Sequence, residues 1–152
     1  MPTRPLPRTG ARFTYPVDLQ PDEDGRVVAR VRDVTGAVTD GTDRPEALLL
    51  AHDALEEALC AAMAGHEDIP WPSPARGRPV VAPGTLVAAK AALYEAMRDA
   101  KISNVELGRR MGVSEVEVRR LLDPRHNSKI GRLDEALAAL GKRVILEVRD
   151  VA

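Results

Sequence analysis

The sequence has few aromatic residues and only one cysteine. Its 152 residues include one Phe, one Trp and two Tyr, so Ala, Leu and Val must supply most of any hydrophobic core. The single cysteine, Cys60, excludes an intrachain disulfide and is typical of a reducing compartment. Because Cys60 falls in an Ala-rich stretch of predicted helix, we expect a small buried side chain there rather than a nucleophile.

Long apolar runs are also lacking. No stretch approaches the roughly 18 residues that a membrane helix needs, and no secretory signal is visible, so we expect a cytoplasmic protein with no membrane partner. The three histidines have no metal-ligand spacing, and neither a Ser/His/Asp arrangement nor a phosphate-binding glycine loop occurs. The sequence therefore predicts no catalytic residue, no metal and no cofactor, and it gives no support to an enzyme.

The net charge is −1, but the charge is unevenly distributed. Residues 1–82 hold nine basic and 13 acidic side chains, a balance of −4, whereas residues 83–152 hold 13 basic and ten acidic ones, a balance of +3. This asymmetry predicts two domains, residues 12–82 and residues 83–152, with different partners.

The front domain has the pattern of a small sheet. Residues 1–11 contain three prolines and no periodicity, as a disordered leader does. Apolar residues alternate over 13–19 and again over 27–31, with a hairpin signal at Asp24-Gly25, and residues 38–40 make a third short strand. Pro16 cannot donate to a ladder, so the first strand is expected at an edge or with that position facing outward.

One long helix should follow these strands. Asp43 is its predicted cap, with Pro45 in the first turn and Glu46 completing a capping box. Leu48, Ala51, Leu55, Leu59 and Ala62 form one apolar stripe, and Gly65 should end the helix. Prolines then forbid a helix over 69–83, where residues 78–82 predict a last edge strand. Trp71 is expected to be an apolar plug against the first domain; the alternative is an exposed aromatic that recognises a partner.

The back domain is organised around residues 102–122, which read as two short helices joined by a tight turn. Ser103 or Asn104 can cap the first helix, whose predicted apolar positions are Val105, Leu107 and Met111. Gly112 permits the turn and Ser114 can cap the second helix, where Val118 and Leu121 share one face. This pattern is typical of a DNA-binding helix-turn-helix; the alternative is an ordinary helical hairpin.

The rest of the back domain predicts a bundle of four or five helices. Thr85 can cap a preceding helix that faces inward through Leu86, Ala89, Leu93 and Met97. A final helix has its apolar stripe at Ile130, Leu133, Leu137 and Leu140.

Motif alignment with repressor-type helix-turn-helix proteins gives candidate DNA contacts. Glu115, Val116 and Arg120 match positions that face base edges: Arg120 suits guanine, Glu115 the amino group of cytosine, and Val116 the thymine methyl. The other predicted contacts, mostly to phosphates, are Asn104, Arg109, Arg110, Ser114, Glu117, Arg119, Arg125, Asn127, Ser128 and Lys129.

A last alternating stretch, residues 143–149, predicts a strand with no partner in its own helical domain. Because backbone N–H and C=O groups need partners, we expect this strand to pair with its copy in a homodimer or higher homo-oligomer. The residues predicted to dimerise are Val144, Ile145, Leu146 and Val148. A dimer would also reach two DNA half-sites about one helical turn apart.

Two segments resemble one known family. The front, FTYPVDLQPDEDGRVVARVRDVTGAVTDGTDRPEALLLAHDALEEAL, resembles the HicB antitoxin domain, and the back, with LGRRMGVSEVEVRRLLDPRHNSKIGRLDEALAALGKRVILEV, resembles the helix-turn-helix tail of one HicB subgroup. The resemblance covers residues 12–149. It implies an α+β fold: a small antiparallel sheet with one long helix, similar to a partial ribonuclease-H fold, then an all-α helix-turn-helix bundle with a C-terminal dimerising strand.

The resemblance also implies two partners, a HicA-type mRNA-cleaving toxin and operator DNA. A toxin that binds RNA must be basic, and the candidate acidic residues for attracting it are Asp22, Glu23, Asp24, Asp40, Asp43, Glu67 and Asp68. A ribonuclease-H-type metal site is not expected, because Asp18 should face away from the core and no acidic cluster accompanies it. The alternative function is a helix-turn-helix regulator whose front domain senses a ligand and has no toxin partner.

Overall fold

A computed structural model of the protein describes residues 12–150. The predicted disordered leader, residues 1–11, lies outside the described residues. Within residues 12–150 the chain is α+β, with a four-stranded antiparallel sheet and five helices. It divides into two compact units: the first takes the described residues up to Ala61 together with Pro70–Gly84, and the second takes Ala62–Ile69 and those from Thr85 onward.

The first unit contains the sheet. Its strands are β1 (Tyr15–Pro21), β2 (Val27–Val31), β3 (Val38–Gly41) and β4 (Val80–Val81), in the spatial order β3-β2-β1-β4. All neighbours are antiparallel, and the predicted last edge strand is confirmed as the two-residue β4. The predicted hairpin between β1 and β2 is also present.

The position of Pro16 corrects a prediction. Pro16 is fully buried, and β1 is an internal strand rather than an edge. Arg32 donates its amide hydrogen to the Pro16 carbonyl (2.8 Å), but proline has no amide hydrogen to return to Arg32. The regular β1–β2 pairing accordingly ends at Val17 and Val31, so the sheet tolerates an internal proline at the end of a ladder.

The long helix α1 (Arg44–Ala64) starts where the sequence predicts. Asp43 caps it by accepting a hydrogen bond from the Glu46 amide (2.9 Å). The Glu46 carboxylate accepts bonds from the amide and the hydroxyl of Thr42, one residue before the cap, and these bonds lower the pKa of Glu46. A capping arrangement therefore forms, displaced by one residue from the usual box.

The end of α1 differs from the prediction in one detail. The helix ends at Ala64, directly before Gly65, which was predicted to end it. The left-handed backbone conformation that commonly follows a helix is adopted by His66, with φ of 55°, and not by the glycine. His66 and Glu67 donate their amide hydrogens to the carbonyls of Met63 and Ala62, which closes the last turn.

The core of the first unit combines one sheet face with one stripe of α1. Its buried residues include Tyr15, Val17, Ala29, Val31, Ala47, Ala51, Leu55 and Leu59. Cys60 is buried, as predicted. The prediction of Trp71 as a plug is wrong, because its side chain is 45% exposed and the Arg12 guanidinium lies 3.9 Å from its ring centroid. An aromatic face stacked on a cation need not enter the core.

The second unit is helical. It contains α2 (Thr85–Ala100), α3 (Asn104–Met111), α4 (Glu115–Leu122) and α5 (Ile130–Ala138). Their shared core is Ala89, Leu93, Ala96, Met97, Leu107, Val118, Leu121, Leu133, Ala136 and Leu137. Val105 (67% exposed) and Ile130 (42% exposed) are not core residues, contrary to prediction. Val105 precedes the buried Leu107 by two positions, which places it on the opposite side of the helix.

The predicted strand at residues 143–149 does not form within the described chain. Residues 142–150 have no regular secondary structure, because a strand needs a ladder partner and this chain presents none to them. Val144 packs against the helical core and donates its amide hydrogen to Asp134 (3.2 Å). Ile145, Leu146 and Val148 are exposed.

Among residues 12–150, no helix has both the length and the apolar character needed to cross a bilayer.

Candidate nucleic-acid interface

The predicted pair of short helices is present as α3 and α4. Ser103, one of the two candidate caps, caps α3 by accepting a hydrogen bond from the Glu106 amide (3.1 Å). Ser114 caps α4 in the same way through the Glu117 amide (3.2 Å). Both caps satisfy amide groups that have no partner within their helices, so each short helix has a defined start.

Gly112 permits the reversal between the two helices. Its φ is 70°, in the left-handed region where a side chain is costly, and its amide donates to the carbonyl of Arg109 (3.3 Å). The turn back into α4 is only three residues long, since α3 ends at Met111 and α4 begins at Glu115.

The two faces of α4 differ sharply in exposure. Val118 is fully buried and Leu121 is 5% exposed, as their spacing predicts. On the other side Val116 is 46% exposed, and Arg119 and Arg120 are exposed as well. The helix therefore presents one apolar, one acidic and two basic side chains to solvent, Val116, Glu117, Arg119 and Arg120, while its opposite face is packed in the core.

Acidic neighbours hold three of the predicted phosphate-contacting arginines. The Glu106 carboxylate accepts hydrogen bonds from Arg109 (2.8 and 2.9 Å) and Arg110 (3.0 Å), which lower the pKa of Glu106 to about 2. Glu115 holds Arg119 at 2.8 and 3.1 Å. These i,i+3 and i,i+4 pairs must open before the three arginines can meet a phosphate in full.

Arg120 differs from these arginines. Its guanidinium forms no hydrogen bond or ion pair with any side chain or backbone group of residues 12–150. Its backbone carbonyl, by contrast, accepts bonds from the Lys90 ammonium (2.9 Å) and the Ser128 hydroxyl (3.3 Å). The backbone of Arg120 is thus held by hydrogen bonds, while its guanidinium can bind a ligand without first breaking a contact within residues 12–150.

Two open clefts in the second unit bring several predicted contacts together. One, of about 850 Å³, is lined in part by Asn104, Val116, Arg119 and Arg120. The other, of about 220 Å³, is lined by Glu117, Arg120, Leu121, His126, Asn127, Ser128, Lys129 and Arg132. Arg120 lies at both. Arg109, Arg110, Ser114, Glu115 and Arg125 line neither of these clefts.

Lys90 is a residue that the sequence reading missed. It is fully buried in α2, and its ammonium reaches the end of α4. A signal was available, because Lys90 follows Leu86 by four positions and precedes Leu93 by three, which places it on the buried face of α2.

Asp18 lies on the sheet face opposite the core, as predicted. Its two carboxylate oxygens accept hydrogen bonds from Arg32 and Arg78, each at 2.7 Å, and these bonds lower the pKa of Asp18. Within the part of the chain that the structure describes, no group of three or more His, Cys, Asp or Glu side chains is placed to hold a metal ion.

Comparison with known proteins identifies the family. A family model described as the HicB-like antitoxin of bacterial toxin-antitoxin systems matches residues 14–92. Antitoxin HicB 1 of Photorhabdus laumondii is 37% identical over 134 residues, which cover 88% of this chain and 86% of that protein. This chain belongs to the HicB-like antitoxin family.

Further relatives agree over most of their length. Antitoxin HicB of Escherichia coli is 35% identical over 133 residues, covering 87% of this chain and 96% of that protein. Antitoxin HicB of Pseudomonas fluorescens is 32% identical over 143 residues, which cover 93% of this chain and 97% of that protein. Membership of the HicB-like family supports an antitoxin role in a toxin-antitoxin system.

The acidic residues predicted to attract a toxin fall into two groups. Four of them have carboxylates with partners: Asp40 pairs with Arg26, Asp68 pairs with Arg98, Asp43 caps α1, and Asp22 orders the β1–β2 hairpin. Glu67 is exposed and accepts a bond from Tyr94 through its backbone carbonyl, but its carboxylate bonds to no group within residues 12–150. Glu23 and Asp24, at the tip of the hairpin, are exposed. Their carboxylates bond to no group within residues 12–150.

Proposed function

We propose that this chain neutralises a HicA-type mRNA-cleaving toxin and represses its own operon by binding operator DNA. Residues 12–82 form the toxin-binding part and residues 83–152 the DNA-binding part. The observation that carries the proposal is the match to HicB-like antitoxins, because it spans all four strands and α1 and, in the Photorhabdus protein, reaches 88% of the chain.

The toxin-binding part attracts its partner through charge. A protein that binds RNA carries excess positive charge, and Glu23 and Asp24 form an exposed, uncompensated acidic tip on the hairpin. The double substitution Glu23→Lys/Asp24→Lys should slow toxin association, and the difference from the native chain should shrink at high salt. An association rate equal to that of the native chain at low salt would exclude the hairpin tip from capture.

The DNA-binding part uses α3 and α4 as a helix-turn-helix. α4 enters the major groove and presents Glu115, Val116 and Arg120 to base edges. The arrangement of Arg120 supports this role most strongly, because its guanidinium is available while its backbone is fixed. Phosphate contacts come from Arg109, Arg110, Arg125, Asn127, Ser128 and Lys129. Asn104 meets a phosphate or a flanking base, and Ser114, Glu117 and Arg119 lie in the start of the DNA-facing helix.

Two acidic residues in this interface, Glu106 and Glu115, weaken its binding to DNA of any sequence. Glu106 and Glu115 neutralise three arginines in the free protein, so non-specific attraction to phosphates is weak. Affinity then depends on base contacts and on engaging two half-sites at once, which requires an oligomer.

The C-terminal segment supplies that oligomer. Ile145, Leu146 and Val148 are among the exposed large apolar residues, and the backbone N–H and C=O groups of residues 145–150 have no ladder partner within the described residues. Pairing with the same segment of a second chain, through Val144, Ile145, Leu146 and Val148, would satisfy these groups and bury the apolar side chains.

The functional test is co-expression with a HicA-type toxin protein. Expression of that protein alone should stop growth, and co-expression of the full chain should restore it. A chain lacking residues 12–82 should fail to restore growth although it carries the DNA-binding part. Continued arrest with the full chain present, at comparable levels of both proteins, would contradict the antitoxin function and favour a ligand-sensing regulator.

A further inference from the structure

Lys90 is a charged residue with no solvent exposure. It lies in the first half of α2 and its relative exposure is 0%. Among the described residues, no other charged residue is buried. A buried ammonium is expensive unless hydrogen bonds satisfy all of its donors. The burial of Lys90 lowers its pKa, and the nearby Asp123 carboxylate partly opposes that shift.

Three acceptors satisfy the Lys90 ammonium. Nζ donates to the carbonyls of Arg120 (2.9 Å) and Leu121 (3.1 Å) and to the hydroxyl of Ser128 (2.8 Å). Lysine has three donors and no acceptor, so this set uses its full capacity. A neutral side chain of similar length has fewer donors and would leave an acceptor unmet.

The acceptors belong to the end of one helix and the loop that follows it. The last carbonyls of a helix have no partner within the helix and carry partial negative charge. In α4, the Asp123 amide donates a hydrogen bond to the Arg119 carbonyl, and the Lys90 ammonium donates to the carbonyls of Arg120 and Leu121. The Ser128 hydroxyl extends the contact to the loop, and His126 Nδ1 lies 3.0 Å from that hydroxyl.

α4 needs such an anchor. It has eight residues, too few for an isolated helix to be stable, and its buried contacts are Val118 and Leu121. Ser114 fixes its start. Apolar contacts are non-directional, whereas the two hydrogen bonds from the buried ammonium to the carbonyls of Arg120 and Leu121 fix the position and the rotation of the end of α4, and the third ties the loop at Ser128 to the same point.

We propose that Lys90 is the positioning residue of the DNA-reading surface: its buried ammonium fixes the end of α4 and residues 123–129 so that Arg120 and the loop meet DNA in register. The effect on DNA rests on the proposed function, whereas the fixing of α4 does not. Lys90 itself does not contact DNA, because it is inaccessible to solvent.

Chemical restoration of the ammonium tests this directly. Lys90→Cys in a Cys60→Ala background leaves one thiol, which can be alkylated in denaturant before refolding. Bromoethylamine restores an ammonium at nearly the original position, and propyl iodide gives an uncharged side chain of similar length and volume. The two products share sequence and size, so they differ chiefly in the ammonium. Lys142→Met removes an exposed ammonium and serves as the control for net charge.

Two readouts distinguish failure of this proposal from failure of the DNA-binding function. Amide hydrogen exchange of residues 119–129, measured without DNA, should be slow in the native, aminoethyl and Lys142→Met proteins and at least about tenfold faster in the propyl protein. Operator affinity should fall about tenfold or more in the propyl protein and recover in the aminoethyl protein, with a smaller loss on unrelated DNA.

Equal exchange rates in the two alkylated proteins would overturn the positioning role, whatever the DNA result. If the propyl protein does not refold, Ser128→Ala removes one acceptor without burying a new group, and faster exchange at residues 120–122 is expected. Unchanged exchange in Ser128→Ala would then overturn the proposal. Absence of operator binding by the native chain, with the predicted exchange pattern, would contradict the DNA-binding function alone.

Discussion

Val113 donates its amide hydrogen to the carbonyl of Gly108 at 2.9 Å, across the turn that joins α3 to α4. This contact brings the backbone of the turn against the side of α3. A Cβ atom on Gly108 would lie 2.8 Å from the Val113 carbonyl oxygen, closer than atoms in a packed interior approach. Gly108 therefore sets the distance between the two helices of the candidate interface.

Replacing this glycine should separate the helices. Gly108→Ala is expected to lower the free energy of unfolding by about 1–3 kcal/mol, because the added methyl group meets rigid backbone. Gly131→Ala is the matched control, since a Cβ there meets nothing within 4 Å and alanine favours the helix. Chemical denaturation measures both. Equal stability of the two variants would show that the turn can move without cost.

Glu106 should titrate at unusually low pH. Hydrogen bonds from Arg109 and Arg110 lower its pKa from 4.5 to about 2. Since the folded pKa lies below the unfolded one, the stabilisation is complete above about pH 4.5 and is lost as the pH falls toward 2. Carbon NMR of the Glu106 carboxyl group measures the midpoint directly.

The variant Glu106→Gln provides the comparison for that titration. It lacks the ionisable group, so its stability should fall less steeply between pH 4.5 and 2 than that of the native chain. A Glu106 midpoint near its ordinary value, with identical acid sensitivity in both proteins, would mean that the two arginines do not hold the carboxylate in solution.

Neighbouring arginines on α4 should differ in their effect on operator binding. Arg120→Ala should cost about 1–3 kcal/mol of operator binding and relax the preference at one base pair, because the proposed interface assigns its guanidinium to a base edge. Arg119→Ala removes a side chain that Glu115 already holds, so it should weaken binding less and equally on all sequences. Binding to operators with single base changes measures this. A uniform loss in Arg120→Ala would refute base reading.

Local signals in the sequence predicted the start and end of several helices. Asp43, Ser103, Ser114 and Gly112 act through backbone groups within four residues, so their roles can be read without tertiary contacts. The same reasoning applies to the Glu106–Arg109 pair, whose i,i+3 spacing was visible in the sequence although its effect on the candidate contacts was missed.

Distant contacts decided the features that the sequence did not predict. Pro16 is buried because β4, more than 60 positions later, pairs with the other side of β1. The acceptors of the buried Lys90 ammonium lie 30 to 38 positions later in the chain, so the sequence alone could not identify them. The available head of Arg120 could not be distinguished from the paired Arg119 before the neighbours of each were known.

If the proposed oligomer forms through the C-terminal segment, deleting residues 143–152 should leave the protein monomeric. The deletion removes the exposed Ile145, Leu146 and Val148 and leaves the helical core intact apart from the edge contact of Val144. Light scattering should report the mass of one chain, and circular dichroism should report retained helix. Operator affinity should also fall, because a monomer can bind only one of the two half-sites. An unchanged oligomer would place the interface elsewhere.

The most direct test of the proposed antitoxin function is RNA cleavage by a purified HicA-type toxin, measured while the full chain is added in increasing amounts. Cleavage should fall linearly and stop at a fixed molar ratio, as expected for a tight inhibitory complex. Cleavage that continues unchanged in excess chain would contradict that function.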